Sequence, residues 1–309
     1  MSVPISPQKC MWLDGKIVPW GDAKLHIISH ALHYGTGVFE GIKAFKTDKG
    51  TSIFRLQEHI KRFFDSAKIL RINIPFSPSE ISNACKSVLL ENNLEEAYIR
   101  PIAFKDCMAM GLNAMKCPSR VAIAAWPWST YLGQAYTHGA RCMISSWRRT
   151  PTFSFPGTAK VCGCYVNSQL AKMEAVENGY DEGIMLDVRG YVSEGSGENI
   201  FAVIRGKLVT PSASSSILLG ITRDTLMVLA KDLGYDVREE DITVGELLTA
   251  EEVFLAGTAA DVTPVVEISN YKIGDGKPGK ITVQLQDLYE KVKRGKSSKY
   301  NDWLTYIGK

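Results

Sequence analysis

The sequence predicts a two-domain α/β protein built on mixed sheets (α+β), and three observations predict it. The chain has 309 residues, too many for one small core and suited to two compact bodies. Apolar periods of 2 and of 3.6 both occur, but without the strict strand–helix–strand alternation of a doubly wound parallel sheet. Residues 127–139 mix Pro, Ser, Thr and two Gly with aromatics, as a connection between bodies would. The expected division is therefore a first domain at 1–132, a connection at 133–139 and a second domain at 140–309.

The elements follow in order. Met11-Trp12-Leu13, Asp14-Gly15 and Lys16-Ile17-Val18 read as a hairpin. After Ile53-Phe54-Arg55-Leu56, the positions Ile60, Phe63, Phe64 and Ala67 fall on one helical face. A second helix spans 79–92, with Ser77 or Ser79 as N-cap. Residues 97–104 and 120–125 are β-branched or apolar and read as strands. Residues 169–178 read as a helix closed by Gly179. Three short strands at 183–187, 191–193 and 199–204 are separated by Val188-Arg189-Gly190 and Arg205-Gly206. A clear amphipathic helix at 222–233 ends at Gly234, and a strand at 252–256 runs into Gly257-Thr258.

Composition excludes several partner classes. The formal net charge is +3, from 36 basic and 33 acidic residues that are scattered, so no basic stripe invites nucleic acid or an anionic membrane. No apolar run reaches the roughly 18 residues of a membrane span. The first nine residues lack the basic start and apolar stretch of a signal peptide, and a cytoplasmic location is expected. Seven cysteines, an odd number without regular spacing, predict reduced thiols rather than a disulfide framework.

Four segments could carry chemistry. Lys160 lies in Gly157-Thr158-Ala159-Lys160-Val161-Cys162-Gly163-Cys164-Tyr165. Most lysines are solvated surface charges, but small and apolar neighbours are poor company for an ammonium, and desolvation turns a lysine toward nucleophilic use. A lysine that forms a Schiff base needs that setting. Glu194, in Ser193-Glu194-Gly195-Ser196-Gly197-Glu198-Asn199, is on the ordinary reading a solvated strand-end carboxylate. Opposite the ring nitrogen of a pyridine cofactor, a buried carboxylate would keep that nitrogen protonated and the ring electron-accepting. Leu218-Leu219-Gly220-Ile221-Thr222-Arg223 enters a helix whose N-terminus is a ready anion site. Gly257-Thr258-Ala259-Ala260 is a tight turn with a hydroxyl after a strand.

Two patterns count for less. His26, His30 and His33 fall at helical spacing, but only Glu40 is near to complete a metal set, and no metal is expected. Gly35-Thr36-Gly37-Val38-Phe39-Glu40-Gly41 has three residues between its second and third glycines, one too many for a dinucleotide fingerprint.

Taken together and in this order, the segments resemble the fold-type IV pyridoxal-phosphate enzymes, and most closely the bacterial branched-chain amino-acid aminotransferases. The resemblance is carried by Ser29-His30-Ala31-Leu32-His33-Tyr34-Gly35, Phe39-Glu40-Gly41, Ala97-Tyr98-Ile99-Arg100-Pro101, residues 193–201 and Gly220-Ile221-Thr222-Arg223. It implies a small N-terminal α/β domain, a larger C-terminal pseudo-barrel domain, and pyridoxal 5′-phosphate as cofactor. Lys160 would carry that cofactor and shuttle the proton, Glu194 would pair with the ring nitrogen, and Tyr165 would contact the phenolic oxygen. Arg62, Thr222 and Thr258, with the amides of Ile221 and Thr222, would hold the phosphate, and Leu219 would pack on the ring. Tyr34, Phe39, Gly41, Met110, Leu112, Trp128 and Tyr131 would line the side-chain pocket. Tyr98 with the backbone of Thr258 and Ala259 would hold the α-carboxylate, and Arg100 the distal carboxylate of glutamate.

The implied reaction is reversible ping-pong transfer from L-leucine, L-isoleucine or L-valine to 2-oxoglutarate. The implied assembly is a homodimer or larger homo-oligomer in which a neighbouring subunit completes the pocket. Val161-Cys162-Gly163-Cys164 departs from relatives that place small residues there, and the Cys-x-x-Cys of mitochondrial relatives is absent. A D-amino-acid aminotransferase or an aminodeoxychorismate lyase would share Lys160 and Glu194, but not Tyr98-Ile99-Arg100 together with Phe39-Glu40-Gly41. A nicotinamide-dependent reductase would explain only the glycines near Gly35, and a metal-binding protein only the histidines and cysteines.

Overall fold

A computed structural model describes residues 4–128 and 132–308. The chain divides into two compact units; among the described residues the first takes 4–128, 159–164 and 292–308, and the second 132–158 and 165–291.

The first unit begins with a hairpin, β1 (Cys10–Leu13) and β2 (Lys16–Pro19), turned by Asp14 and Gly15 at positive φ. A short helix α1 (His30–Tyr34) leads to β3 (Gly37–Phe39), β4 (Ile42–Thr47) and β5 (Gly50–Phe54). Helix α2 (Leu56–Ile69) buries Leu56, His59, Ile60, Phe63, Ser66 and Ala67, one face at 3.6 spacing. Two of those six are polar, which is unusual on a core face. Helix α3 (Pro78–Glu91) starts at Ser77 in a capping box, with Pro78 in the first turn and Glu80 returning the bond. Strands β6 (Ala97–Lys105) and β7 (Ser119–Trp126) pair antiparallel along their length. β6 also pairs with β3 and β4, and the late strand Leu304–Tyr306 closes the other edge on β5. The hairpin joins through β1, which pairs with β7.

The second unit opens with α4 (Ala135–His138) and β8 (Ala140–Arg148), followed by α5 (Tyr165–Glu177). β9 (Glu182–Leu186), β10 (Val192–Gly195), β11 (Asn199–Ile204) and β12 (Lys207–Thr210) precede α6 (Ile221–Asp232). β13 (Val237–Glu239), α7 (Val244–Leu248), β14 (Glu252–Gly257), β15 (Asp261–Ile268), β16 (Tyr271–Lys272) and all but the last two residues of α8 (Lys280–Lys293) complete it. The sheet order is β10-β9-β8-β15-β14-β11-β12-β13. β8 runs parallel to β9 and β15, and β12 to β13, while the other neighbours are antiparallel. Its core joins Ala140, Cys142, Ile184, Ile200, Leu247, Val253, Leu255 and Val265. Both sheets thus agree with the expected α/β class, and the second is mixed.

Several sequence expectations change. Residues 159–164 and 292–308 belong with the first unit, not with the contiguous 140–309 body expected. Hydrogen bonding explains the first of these: Val161 bridges Val38, and the Phe39 N–H donates to the Lys160 carbonyl at 3.1 Å. The expected connection at 133–139 contains α4, whose last N–H groups bond back to Gln134 and Ala135. Helix α5 starts at Tyr165, four residues before the expected 169. The cysteines are not all reduced, because Cys107 and Cys117 form a disulfide across the β6–β7 connection. Cys10, Cys85, Cys142, Cys162 and Cys164 are not in disulfides. Burial pushes the Cys85 thiol up to about 12 and raises those of Cys142 and Cys162, so none of these three is a ready nucleophile.

Candidate active site

In the first unit the chemistry gathers where β3 hands over to β4. The bridge between Val38 and Val161 brings in the lysine segment, and the Lys160 N–H donates to Ser66 Oγ at 3.0 Å. Lys160 Nζ lies 5.0 Å from the centroid of the Phe39 ring. Backbone bonds on both sides therefore fix the lysine's stem beside an aromatic wall. Ser66, one of the two polar residues on the buried face of α2, exists for that bond.

The other polar residue on that face, His59, serves Glu40. Glu40 is fully buried and receives Arg62 Nε at 2.6 Å, Arg62 Nη2 at 2.9 Å and His59 Nδ1 at 2.7 Å. A carboxylate only accepts, so Nδ1 carries the imidazole proton. Burial alone would push the Glu40 carboxyl up, but Arg62 and then His59 outweigh it and hold it well below the usual carboxylate range. Burial pushes His59 down more than Glu40 pulls it up, so the ring is neutral.

Alternation along β6 puts Tyr98 and Arg100 on one face. The Arg100 guanidinium lies 4.6 Å from the Phe39 centroid and 5.2 Å from that of Tyr98, and its Nη2 donates to the Tyr98 hydroxyl at 3.3 Å. Its Nε is buried with no acceptor, and among the described residues no carboxylate pairs with it. Trp126 and Trp128 stand 5.4 and 5.2 Å from the Tyr98 ring, centroid to centroid. Gly41 has no room for a side chain, since a Cβ there would sit 1.8 Å from the Tyr98 hydroxyl.

A separate cluster forms around α1. His30 Nε2 donates to the Gly111 carbonyl at 2.8 Å, and the Gly111 N–H donates to the Tyr34 hydroxyl at 3.3 Å. Nδ1 of His30 meets Thr36 Oγ1 at 2.8 Å, and His33 bonds the Ile27 carbonyl, so these histidines organise backbone. Lys105 Nζ donates to the Cys117 carbonyl at 3.0 Å. Met110 and Leu112, expected in the substrate pocket, are 51% and 87% exposed on this loop. Tyr131 lies outside the described residues.

In the second unit Glu194 sits at a slip in the β9–β10 register, which re-aims its side chain. It is buried and held by Arg149 Nη2 at 2.8 Å, Asn199 Nδ2 at 2.9 Å and the Leu218 N–H at 3.1 Å. Asn199 also donates to the Leu218 carbonyl at 2.8 Å, tying Glu194 to the start of α6. There Gly220 is the N-cap and offers no side chain to the first turn; a Cβ on it would lie 2.0 Å from Asn199 Oδ1. Thr222 is buried in that turn and Leu219 is exposed just before it. Thr258 and Ala259 form the half-buried β14–β15 turn, and Tyr165 is the first residue of α5. Glu198 is also buried; burial and then the charge of Glu182 push its carboxyl up to about 8.

The structure thus brings Lys160, Phe39, Gly41, Arg62, Tyr98, Arg100 and Trp128 into the first unit, and Glu194, Leu219, Ile221, Thr222, Thr258, Ala259 and Tyr165 into the second. Sequence reasoning missed Glu40 as a partner of Arg62, and missed His59, Ser66, Arg149 and Asn199 altogether. His59 and Ser66 had a signal, as polar residues in phase with Ile60, Phe63 and Ala67. Arg149 had none, because its partner is 45 positions away in sequence.

Comparison with known proteins adds three findings. Residues 37–268 match the family described as amino-transferase class IV. The chain is 45% identical to a branched-chain-amino-acid aminotransferase of Pseudomonas aeruginosa, covering 96% of this chain and 97% of that one. Its fold superposes on the T.th. branched-chain amino acid aminotransferase complexed with N-(5′-phosphopyridoxyl)-L-glutamate with a TM-score of 0.93 at 47% identity, over 97% of this chain and 99% of that one. The same T.th. enzyme complexed with 4-methylvaleric acid gives a TM-score of 0.93, with the same identity and coverage.

Proposed function

The chain belongs to the class IV aminotransferase family, and from that premise we propose that it is a branched-chain aminotransferase using pyridoxal 5′-phosphate. Its donors are L-leucine, L-isoleucine or L-valine, and its acceptor is 2-oxoglutarate, in reversible ping-pong turnover. One observation carries this reading: Arg100, with no carboxylate partner among the described residues, lies over the Phe39 ring whose backbone is bonded to Lys160. One wall next to the lysine therefore offers both an aromatic face for a branched side chain and a cation for the distal carboxylate of glutamate.

The residues present fit the cofactor. Glu194 is a buried carboxylate fixed by three donors, which suits a partner for a cationic ring nitrogen. The first turn of α6 lacks a side-chain cap, which suits a phosphate on the amides of Ile221 and Thr222, with the Thr222 and Thr258 hydroxyls and Arg62. Bound pyridoxal phosphate supplies an electron sink for the carbanion left when the substrate loses its α-proton. Lys160 Nζ takes that proton and returns it when the amine has moved. Glu194 would hold the positive ring nitrogen, Tyr165 would contact the phenolic oxygen, and Leu219 would pack on the ring. Tyr98, given room by Gly41, would offer its hydroxyl to the α-carboxylate, and in the second unit the backbone of Thr258 and Ala259 would offer amide donors to such a group. Trp128 and Phe39 exclude water from the bound side chain.

The proposal includes a homodimer or larger homo-oligomer, in which Tyr34, Met110 and Leu112 of a neighbouring copy join the pocket. The exposure of Leu32, Met108, Met110 and Leu112 on one loop-and-helix surface supports it. It also includes a cytoplasmic location, with which the want of any helix long and apolar enough to cross a membrane, among the described residues, is compatible.

The test is spectroscopic, then kinetic. Incubation with pyridoxal phosphate should produce an absorbance band near the visible edge that borohydride removes, and Lys160→Ala should lack it. A panel of amino donors against 2-oxoglutarate should then favour the branched-chain amino acids. No band, or preference for D-amino acids, would overturn the reading.

A further inference from the structure

Of the Glu40, His59 and Arg62 cluster only Arg62 enters the reaction as written above, as a phosphate ligand, yet Glu40 and His59 behind it are both buried. Glu40 meets the Nε–Nη2 edge of Arg62 with two bonds, 2.6 and 2.9 Å, and such a two-point contact fixes the plane of a guanidinium as a single contact cannot. His59 then fixes Glu40: its Nδ1–H donates to Oε2 at 2.7 Å, and the Gly41 N–H reaches the same oxygen at 3.3 Å. All three side chains hang on rigid elements. His59 and Arg62 are one turn apart on α2, and Glu40 joins β3 to β4.

We propose that Glu40, locked by His59, is a positioning residue that aims the Arg62 guanidinium at the cofactor's phosphate. The proposal rests on the reading of Arg62 as a phosphate ligand and deepens it. Two effects of Glu40 compete. Its charge cancels that of Arg62 and so weakens the field at a dianion, whereas its geometry holds the donors of Arg62 in one direction. For a long, rotamer-rich side chain, preorganisation outweighs the lost field, because the cation is spared an ordering cost when the phosphate arrives. The two effects predict opposite signs for Glu40→Gln, which makes the claim decidable. A glutamine keeps the shape but faces Arg62 with an amide NH2 or a single neutral oxygen, so the two-point contact is lost.

The experiment is an absorbance titration of cofactor-depleted enzyme with pyridoxal 5′-phosphate and, separately, with pyridoxal, which lacks the phosphate. The readout is the ratio of the two dissociation constants. In Glu40→Gln the preference for the phosphorylated form should fall about tenfold, the scale of one charge-assisted hydrogen bond, while pyridoxal binds as in wild type. Binding of pyridoxal also certifies that the variant is folded. An unchanged or increased preference overturns the proposal, an increase meaning that Glu40 merely neutralises Arg62. Arg62→Gln is the second arm. If it leaves the preference unchanged, the phosphate reading of Arg62 itself fails; if it lowers the preference and Glu40→Gln does not, only the positioning claim fails. Should Glu40→Gln not fold, His59→Gln replaces it: a smaller loss of the same ratio supports the proposal and an unchanged ratio sinks it.

Discussion

Arg149 and Glu194 form a buried ion pair in the second unit, with Nη2 2.8 Å from Oε1, and Asn199 and the Leu218 amide take the other oxygen. Breaking a pair of this kind by removing one member leaves an uncompensated charge and costs about 3–5 kcal/mol. Arg149→Met and Glu194→Gln should therefore both lower the thermal midpoint strongly, the first by leaving a buried carboxylate unpaired and the second a buried guanidinium. Activity should show a deep loss in Glu194→Gln, whose neutral side chain no longer partners a cationic ring nitrogen. Melting curves and turnover of both variants check this; an unchanged rate in Glu194→Gln removes it from the proposed mechanism.

Arg100→Ala divides the two substrates of the proposed reaction. Losing a charge-assisted contact should raise KM for glutamate and 2-oxoglutarate by about 10- to 100-fold, with a much smaller change for leucine. Steady-state kinetics with each pair decide it, and equal losses for both would refute the assignment of Arg100 to the distal carboxylate.

Gly41→Ala tests the close approach of Tyr98, since the added Cβ would stand 1.8 Å from its hydroxyl. Tyr98 must swing aside, at a cost of about 1–3 kcal/mol. KM should rise for every donor, while titration with pyridoxal phosphate stays as in wild type. A variant with wild-type KM would mean that the Tyr98 hydroxyl does not hold the α-carboxylate.

Reducing the Cys107–Cys117 bond with a dithiol should lower stability by about 2–3 kcal/mol, the usual worth of a cross-link over a short loop. The loop keeps its anchors at His30, Tyr34 and Lys105, so the protein stays folded. Thermal melts with and without dithiol, on wild type and on Cys107→Ser/Cys117→Ser, should converge; a dithiol effect that survives in the double variant would point to some other thiol.

Glu198 gives a pH signature. Its folded-state value of about 8 stands above the unfolded one of 4.5, so the native state binds the proton more tightly. The stability it contributes is present in full below about pH 4.5 and is lost as pH rises toward 8, at no more than about 1.4 kcal/mol per pH unit. Glu198→Gln should flatten that slope. Urea unfolding at pH 5.5 and 8 measures it, and parallel slopes in wild type and variant would exclude Glu198 as the source.

Local chemistry was readable in the sequence, and long-range pairing was not. The Asp14-Gly15 hairpin, the cap of α3 at Ser77 and the amphipathic α6 all follow from a few adjacent residues. β15 escaped notice because Pro264 argues against a strand, yet it lies between β8 and β14 with Pro264 opposite Phe254. β8 escaped because Arg141, Ser145 and Ser146 interrupt its apolar pattern. At the site, Lys160 and Glu194 stood out by their neighbours, whereas Arg149 and Asn199 acquire meaning only once Glu194 is folded against them. His59 and Ser66 were visible as polar residues on a core face, but only the fold names what they bond.

The six residues 159–164 and the tail 292–308 lie far along the chain from the rest of the first unit, and this has a consequence for dissection. No single scission yields that unit whole. A fragment ending at 128 would keep Phe39, Arg62 and Arg100 but lose the lysine, and it would bare the edge of β5 that Leu304–Tyr306 covers. Attempts to express the halves separately should give one piece without its reactive amine and with an open sheet edge prone to self-association. The protein is divisible in space but not along its backbone, so any split or permuted version must be cut in more than one place.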